Sequence, residues 1–251
     1  MKLIALIENT TCSPELACEH GLSLYIEACG KRILFDMGQS GAFRENAEKL
    51  GVDLTSVDFA VLSHGHYDHG GGMAHFLSIN SRANIYVNKH AFQPHFNANG
   101  KDIGLDQSIP KDRLIFTDGF TELAPGITLH TVPFAPADSA GMTTLEGKPE
   151  DFRHEQYLLL EEKGKRILIS GCSHKGIVAI AKHFQPDILV GGFHFMKTEA
   201  ESILRNAAHA LLELNCICYT GHCTGQPQYD YLKTIMGKSL QAISTGSILN
   251  L

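Results

Sequence analysis

Residues 63–72 read Ser-His-Gly-His-Tyr-Asp-His-Gly-Gly-Gly, which sets His64, His66, Asp68 and His69 within six positions directly after the apolar run Phe59-Ala60-Val61-Leu62. So dense a set of lone-pair donors reads as a metal site, because histidine is a leading metal ligand and a merely polar turn does not need such crowding. The apolar run predicts a short buried strand, and the glycines after it predict a turn that leads into a helix over 72–79. The ligands then sit at the carboxyl end of a strand. Imidazole nitrogen and carboxylate oxygen suit borderline cations, so Zn2+ is expected, with Mn2+ or Fe2+ also fitting. His64 and His66 can grip one ion from a single loop, whereas Asp68 and His69 cannot easily reach that ion beside them. The spacing therefore predicts two neighbouring metals, one on His64 and His66 and the other on Asp68 and His69.

The same pattern, an apolar run with small residues and then a histidine, recurs along the chain. Ile167-Leu168-Ile169-Ser170-Gly171-Cys172-Ser173 leads to His174, Ile188-Leu189-Val190-Gly191-Gly192-Phe193 leads to His194, and Ile217-Cys218-Tyr219-Thr220-Gly221 leads to His222. Helical patterns follow over 176–184, over 199–214 after the capping box Thr198-Glu199-Ala200-Glu201, and over 226–236. In open α/β sheets ligands collect outside the carboxyl ends of strands, so these histidines are expected to converge on one edge. Further strands are predicted over 2–7, 23–28, 32–36, 83–87 and 157–160, with a helix over 42–50 closed by Gly51. Residues 88–112 and 133–155 lose all periodicity, and loops of that length are usually functional, so they are expected to wall or cover the metals.

Ser63 to Gly72 resembles the His-x-His-x-Asp-His signature of the metallo-β-lactamase superfamily, and Ile33-Leu34-Phe35-Asp36-Met37-Gly38 resembles the strand and Asp-turn that precede it there. Glu19-His20-Gly21-Leu22-Ser23, Gly171-Cys172-Ser173-His174, Gly191-Gly192-Phe193-His194 and Thr220-Gly221-His222-Cys223-Thr224-Gly225 look more specifically like a subgroup. That subgroup includes the archaeal synthase joining a pterin diphosphate to ribofuranosylaminobenzene phosphate in methanopterin biosynthesis. The resemblance extends over essentially the whole chain, 1–251, as one α/β domain, and implies an αββα sandwich. It implies that His64 and His66 hold the first metal, and that Asp68 and His69 hold the second together with His222. In the family a strand normally ends in Gly-Asp, whose Asp bridges the metals; here the corresponding pair is Gly171-Cys172. His174 or Cys172 must then complete the site, and His174 is favoured because Ser173-His174 opens a helix facing the same edge. His154, in Arg153-His154-Glu155-Gln156, lies where other members place a third histidine.

Two divalent ions opposed by so few fixed negative charges leave a cationic pocket, unless Cys172 is a thiolate, and such a pocket favours a small anionic substrate. Lys175 and the amides opening the helices after His174 and His222, here at Thr224 and Gly225, are expected to add phosphate binding. His194 and His20 are the candidate acid/base residues, and Asp68 belongs to the catalytic set as well as to the metal set. Asp36 reads as a buried acceptor that orients a ligand histidine. His75, His90, His95, His130, His183 and His209 fall away from the strand ends and read as surface or satisfied core groups. Cys216 and Cys218 read as packing residues, and Cys223 is expected to point away from His222 in an extended segment.

With a formal charge of −6, any attraction for phosphate must be local, and a dedicated nucleic-acid binder is disfavoured. Seven cysteines without a CxxC pair predict free thiols in a reducing cytoplasm. The opening Met1-Lys2-Leu3-Ile4-Ala5-Leu6-Ile7 reads as a strand, too short in apolar length for a signal peptide, and no run is long enough to cross a membrane. Nothing in the sequence sets an oligomeric state. The first functional expectation is a metal-dependent hydrolase of a small, phosphorylated ester, in which metals activate water and polarise a phosphoryl or acyl oxygen. The alternatives are a transferase of the pterin synthase type, with metals gripping the diphosphate, and a non-catalytic sensor of a phosphorylated ligand.

Overall fold

Apolar residues on both faces of the same strands force two buried surfaces per sheet, and the chain answers with layers. In the computed structural model, which describes residues 1–136 and 139–251, the first half runs β1 (Lys2–Ile7), β2 (Ser23–Ala28), β3 (Lys31–Phe35), α1 (Ala42–Lys49), β4 (Phe59–Val61), α2 (Tyr67–Gly70), α3 (Met73–Ile79), β5 (Asn84–Asn88), β6 (His95–Phe96) and β7 (Leu114–Thr117). The second half runs β8 (Phe120–Ala124), β9 (Ile127–His130), β10 (Thr143–Thr144), β11 (Tyr157–Glu162), β12 (Lys165–Ile169), α4 (Ile177–Phe184), β13 (Ile188–Val190), α5 (Glu201–Glu213), β14 (Ile217–Thr220), α6 (Gln226–Met236), β15 (Leu240–Ala242) and β16 (Ile248–Asn250).

Two seven-stranded sheets result, ordered β16-β1-β2-β3-β4-β5-β7 and β15-β14-β13-β12-β11-β9-β8. Each is antiparallel on one side and parallel on the other, the parallel parts being β3-β4-β5-β7 and β12-β13-β14-β15. Leu3 and Ala5 of β1 face the second sheet, where they pack with Ile169 and Val190, while Ile4 and Leu6 face outward onto Phe43 of α1 and Phe76 of α3. On the far side Leu168 and Leu189 pack under Ile180 of α4, Leu211 of α5 and Leu232 of α6. The layers are therefore helix, sheet, sheet, helix, the αββα arrangement expected. Among the described residues no helix is long and apolar enough to cross a membrane.

Local differences from the sequence reading have identifiable causes. α5 starts at Glu201 with Ala200 as its cap and no side-chain capping bond, so the Thr198 capping box does not form. The Thr198 amide bonds the Phe195 carbonyl at 2.7 Å in a turn, which uses the residue before a helix can begin. The aperiodic stretches 88–112 and 133–155 hold the two-residue strands β6 and β10, which pair as Thr143↔Phe96 and Thr144↔His95; positions 137 and 138 lie outside the described residues. Strands of two residues carry no alternation for a sequence to display.

The parallel strand ends aim at one rim: Asp36 follows β3, 63–69 follow β4, Cys172 and His174 follow β12, His194 follows β13 and His222 follows β14. The turn after β3 packs directly on the backbone of the metal loop. A Cβ at Gly72 would lie 2.1 Å from the Met37 carbonyl oxygen and 2.7 Å from that of Ser40, and one at Gly71 would lie 2.4 Å from that of Gln39. Gly72→Ala is therefore expected to cost about 1–3 kcal/mol through forced separation of these segments. Urea denaturation of the metal-free protein measures this, and an unchanged midpoint would contradict the packing argument.

Candidate metal centre

Ring nitrogens crowd together here, facing one another at separations that ligands of a shared cation adopt. His69 Nε2 and His222 Nε2 lie 3.1 Å apart. His69 Nδ1 donates to Asp36 Oδ2 at 2.7 Å, and His222 Nδ1 donates to Asn9 Oδ1 at 2.9 Å. Were both rings neutral, the facing Nε2 atoms would carry lone pairs that repel unless a metal cation, or a proton on His222, lies between them. His64 likewise presents a lone pair to two other rings. Ser63 Oγ gives its hydrogen to Asp36 Oδ2 at 2.7 Å and so accepts from His64 Nδ1 at 2.8 Å, which leaves the His64 Nε2 lone pair facing His174 Nε2 at 3.3 Å and His66 Nδ1 at 3.0 Å. A tetrahedral zinc ion with ordinary Zn–N bonds spaces its nitrogen ligands about 3.3 Å apart, so these separations fit ligands of shared cations.

Cys172 lies between the clusters. Its Sγ is 3.2 Å from His69 Nε2, and its ligand atom lies within 4.8 Å of those of His64 and His174 on one side and of His69 and His222 on the other. Asp68 Oδ2 closes the second cluster, 3.4 Å from His222 Nε2 and 3.6 Å from His69 Nε2. Burial, then neighbouring imidazoles, pushes His64 and His174 well below the ordinary histidine range, so both are neutral donors of lone pairs. Burial brings His66 down to about 3. Burial likewise pushes the Cys172 thiol well up, a tendency that a coordinated cation reverses. His222 differs: burial pulls it down, but its bond to Asp68 and the nearby negative charge outweigh this and raise it to about 9. In the metal-free protein a proton therefore occupies the place a cation would take.

The backbone at this rim is strained. Asp36, Ser173, His194 and His222 all have positive φ, between 46° and 58°, a conformation that side-chain-bearing residues adopt at a cost of about 1–3 kcal/mol each and that clusters at functional sites.

The structure thus brings His64, His66, Asp68, His69, His174 and His222 together, with His20 and His194 at the margin. His20 Nε2 is 3.3 Å from Asp68 Oδ2 with 43% of its side chain exposed, and the His194 ring centroid is 4.2 Å from that of His174. Lys175 is placed elsewhere: its ammonium donates to the Val132 carbonyl at 3.0 Å and lines a separate cavity with His90, Asp118 and Arg153. Thr224 Oγ1 accepts the Phe193 amide at 2.9 Å, while Gly225 caps α6 and borders, with Glu8, Tyr229 and His222, a cavity of about 540 Å³. Cys223 lies in a 3-10 turn, not an extended segment, and its thiol bonds the Cys172 carbonyl at 3.5 Å. His154 turns Nδ1 to the Gly65 amide at 2.9 Å.

Sequence reasoning missed several supporting residues. Asn9 follows β1 and carries no local signal. Glu155 accepts the His174 and Lys175 amides at 2.8 and 3.2 Å, and Phe152 stacks on His174 with centroids 4.4 Å apart. Cys172 was legible as the residue standing where a bridging Asp is usual and as the alternative to His174 for completing the site.

The chain matches the family model of the metallo-beta-lactamase superfamily over residues 17–208, and it belongs to that superfamily, whose members bind divalent metals and are mostly hydrolases. It is similar to the 7,8-dihydropterin-6-methyl-4-(beta-D-ribofuranosyl)-aminobenzene-5'-phosphate synthase of Methanocaldococcus jannaschii, at 28% identity over 92% of this chain and 90% of that protein. Among solved structures, Tm1679, described as a metal-dependent hydrolase of the beta-lactamase superfamily, matches with a TM-score of 0.84 at 27% identity, covering 100% of this chain and 99% of that one. Zn2+-bound PqqB from Methylobacterium extorquens shares the fold, with a TM-score of 0.59 at 11% identity and full coverage of both chains (100% and 100%).

Two outcomes follow from this geometry. Asp36→Asn, which withdraws the charge that holds the His69 and Ser63 hydrogens, is expected to lower metal affinity about 10–100-fold in chelator competition; equal affinity would refute the role given to Asp36. Because His222 is raised to about 9, loading metal at pH 7 is expected to release its proton, and affinity should climb as pH rises toward that value. Calorimetric titration in buffers of different ionisation enthalpy reads the proton directly, and a buffer-independent heat would count against it.

Proposed function

We propose that this protein is a dinuclear, zinc-dependent hydrolase of a small anionic ester, with a phosphorylated substrate as the class it fits. The observation that carries this reading is the pair of lone-pair clusters meeting at Cys172, with Asp68 as their one carboxylate. His64, His66 and His174 would hold one ion, Asp68, His69 and His222 the other, with Cys172 shared. When bound, two such ions supply Lewis acidity toward a phosphoryl or acyl oxygen and acidify nearby water. Even with Cys172 ionised, Asp68 and the thiolate balance only half of the four positive charges, so the pocket selects anions.

Hydrolysis moves one proton off the attacking water and delivers one to the leaving group. His20 suits that transfer. It is held below the ordinary histidine range by burial and by His222, so it is neutral near pH 7 and accepts a proton, while its 3.3 Å contact with Asp68 stabilises the charged form it then becomes. Its exposed edge can return the proton to a departing oxygen. His194 stands beside His174 at the opposite margin and is the other acid/base residue of this reading. The cavity beside His222 offers room for the organic part of the substrate.

A second reading has its own support. The 28% identity to the archaeal synthase over 92% of the chain favours transfer of a pterin diphosphate onto an aminobenzene ribosyl phosphate, with pyrophosphate leaving. Elemental analysis of protein purified without added metal, followed by phosphodiester and ester screens, separates the two. About two ions per chain with hydrolytic turnover supports the hydrolase; pyrophosphate release that needs both synthase substrates supports the transferase. Under the hydrolase reading, His20→Ala and His194→Ala are each expected to lower kcat by about 10²–10⁴ with metal content unchanged. Full activity in both variants would remove them from the chemistry.

A further inference from the structure

His95 is neither a surface nor a satisfied core group. It is 3% exposed, and among the described residues its Nε2 is one of the buried polar atoms without a hydrogen-bond partner. Its Nδ1 meets Glu150 Oε2 at 2.9 Å, and since a carboxylate only accepts, the ring hydrogen sits on Nδ1 and Nε2 carries a lone pair. His66 shows the complementary deficit. Its Nδ1 faces His64 Nε2 at 3.0 Å among the proposed ligands, so a His66 that turns Nδ1 to a cation must carry its hydrogen on Nε2, and that atom too is buried without a partner. The two rings meet edge to face with centroids 5.7 Å apart. His154, the other nearby ring, lies over His95 at 3.9 Å with planes 34° apart; its Nδ1 accepts the Gly65 amide, and its Nε2–H, likewise buried without a partner, is 4.0 Å from Glu150 Oε1.

We propose that His95 and Glu150 are positioning residues for the first metal: with the ion bound, His95 Nε2 would accept the Nε2–H of His66, a bond the present geometry leaves open, while Glu150 holds His95 in the tautomer that can accept. The relay rests on the reading of His64, His66 and His174 as ligands of one ion. It gives the first centre what Asp36 gives His69: a fixed tautomer and a more basic ligand nitrogen. It also gives the two long segments a shared task. His95 lies on β6 and Glu150 lies in the segment that pairs with it through β10, its amide bonded to the Met142 carbonyl at 2.9 Å. Glu150 Oε1 is fixed in turn by the Phe152 amide at 3.2 Å and faces His154 Nε2 at 4.0 Å.

The test uses metal-loaded full-length protein with zinc as the probe, and the second ion serves as internal control. His95→Leu removes the acceptor and is expected to weaken the first ion about 10–100-fold in chelator competition while leaving the second unchanged. His95→Gln, whose carbonyl oxygen can accept the same hydrogen, is expected to restore most of the loss, which a purely space-filling role would not require. Glu150→Gln should weaken the first ion in the same direction and serves if His95→Leu does not fold. Nitrogen-resolved NMR of the loaded wild type should find the His66 proton on Nε2. Unchanged first-ion affinity in His95→Leu, equal loss of both ions, or a His66 proton on Nδ1 would each overturn the relay. Failure of the hydrolase reading would look different: wild-type protein with no turnover, yet with selective loss of the first ion in His95→Leu.

Discussion

The centre depends on one buried carboxylate. Asp36 is fully inaccessible, sits at a φ of 57°, and accepts from the Ser63 amide, the Ser63 hydroxyl and His69 Nδ1. Because Ser63 passes the constraint on to His64, this one group decides which nitrogen of two different imidazoles is left to bind a cation. A charge so deeply buried is costly unless every lone pair is used, and here the hydrogen bonds converge from the loop it organises. The fold exists at this point to hold Asp36 against residues 63–69: β3 and β4 are adjacent parallel strands, and the Asp36 amide itself bonds the Val61 carbonyl at 2.9 Å.

Most of the architecture was legible because it is written in short-range patterns. The runs before Ser63, His174, His194 and His222 are apolar, brief and followed by small residues, which is what a parallel strand opening into a loop requires. The convergence of His64, His174 and His222 on one rim follows from that grammar. What stayed hidden depends on long-range contact. Glu155 reaches the His174 amide across nineteen positions, and Asn9 orients His222 from the other end of the chain, at a sequence separation of 213. No local pattern marks either. The error on α5 has a different origin: Thr198-Glu199-Ala200-Glu201 has the composition of a cap, but tertiary turns over 195–200 take the chain elsewhere.

Cys172 changes the electrostatic character of the site relative to a bridging carboxylate. A thiol is neutral in the buried metal-free protein and a thiolate only with cations beside it, so its charge arrives with the metal. Asp68, by contrast, is held ionised in advance by His69 and His222 despite the opposing effect of burial. The first ligand set is therefore neutral before loading, whereas the second holds an ion pair, the Asp68 carboxylate against the protonated His222. This asymmetry would distinguish the two proposed ligand sets, which look alike in ligand count.

The metal loop is pressed between other segments. The position of a Gly65 Cβ is 2.1 Å from the Ala91 carbonyl oxygen, the Tyr67 amide bonds the Ile103 carbonyl at 2.9 Å, and the Gln156 amide bonds the Ser63 carbonyl at 2.8 Å. Ligands clasped in this way cannot swing aside one at a time. An ion held there would leave as the surrounding chain opens instead of by the loss of any single coordinate bond, so its retention would be a kinetic property of the whole rim.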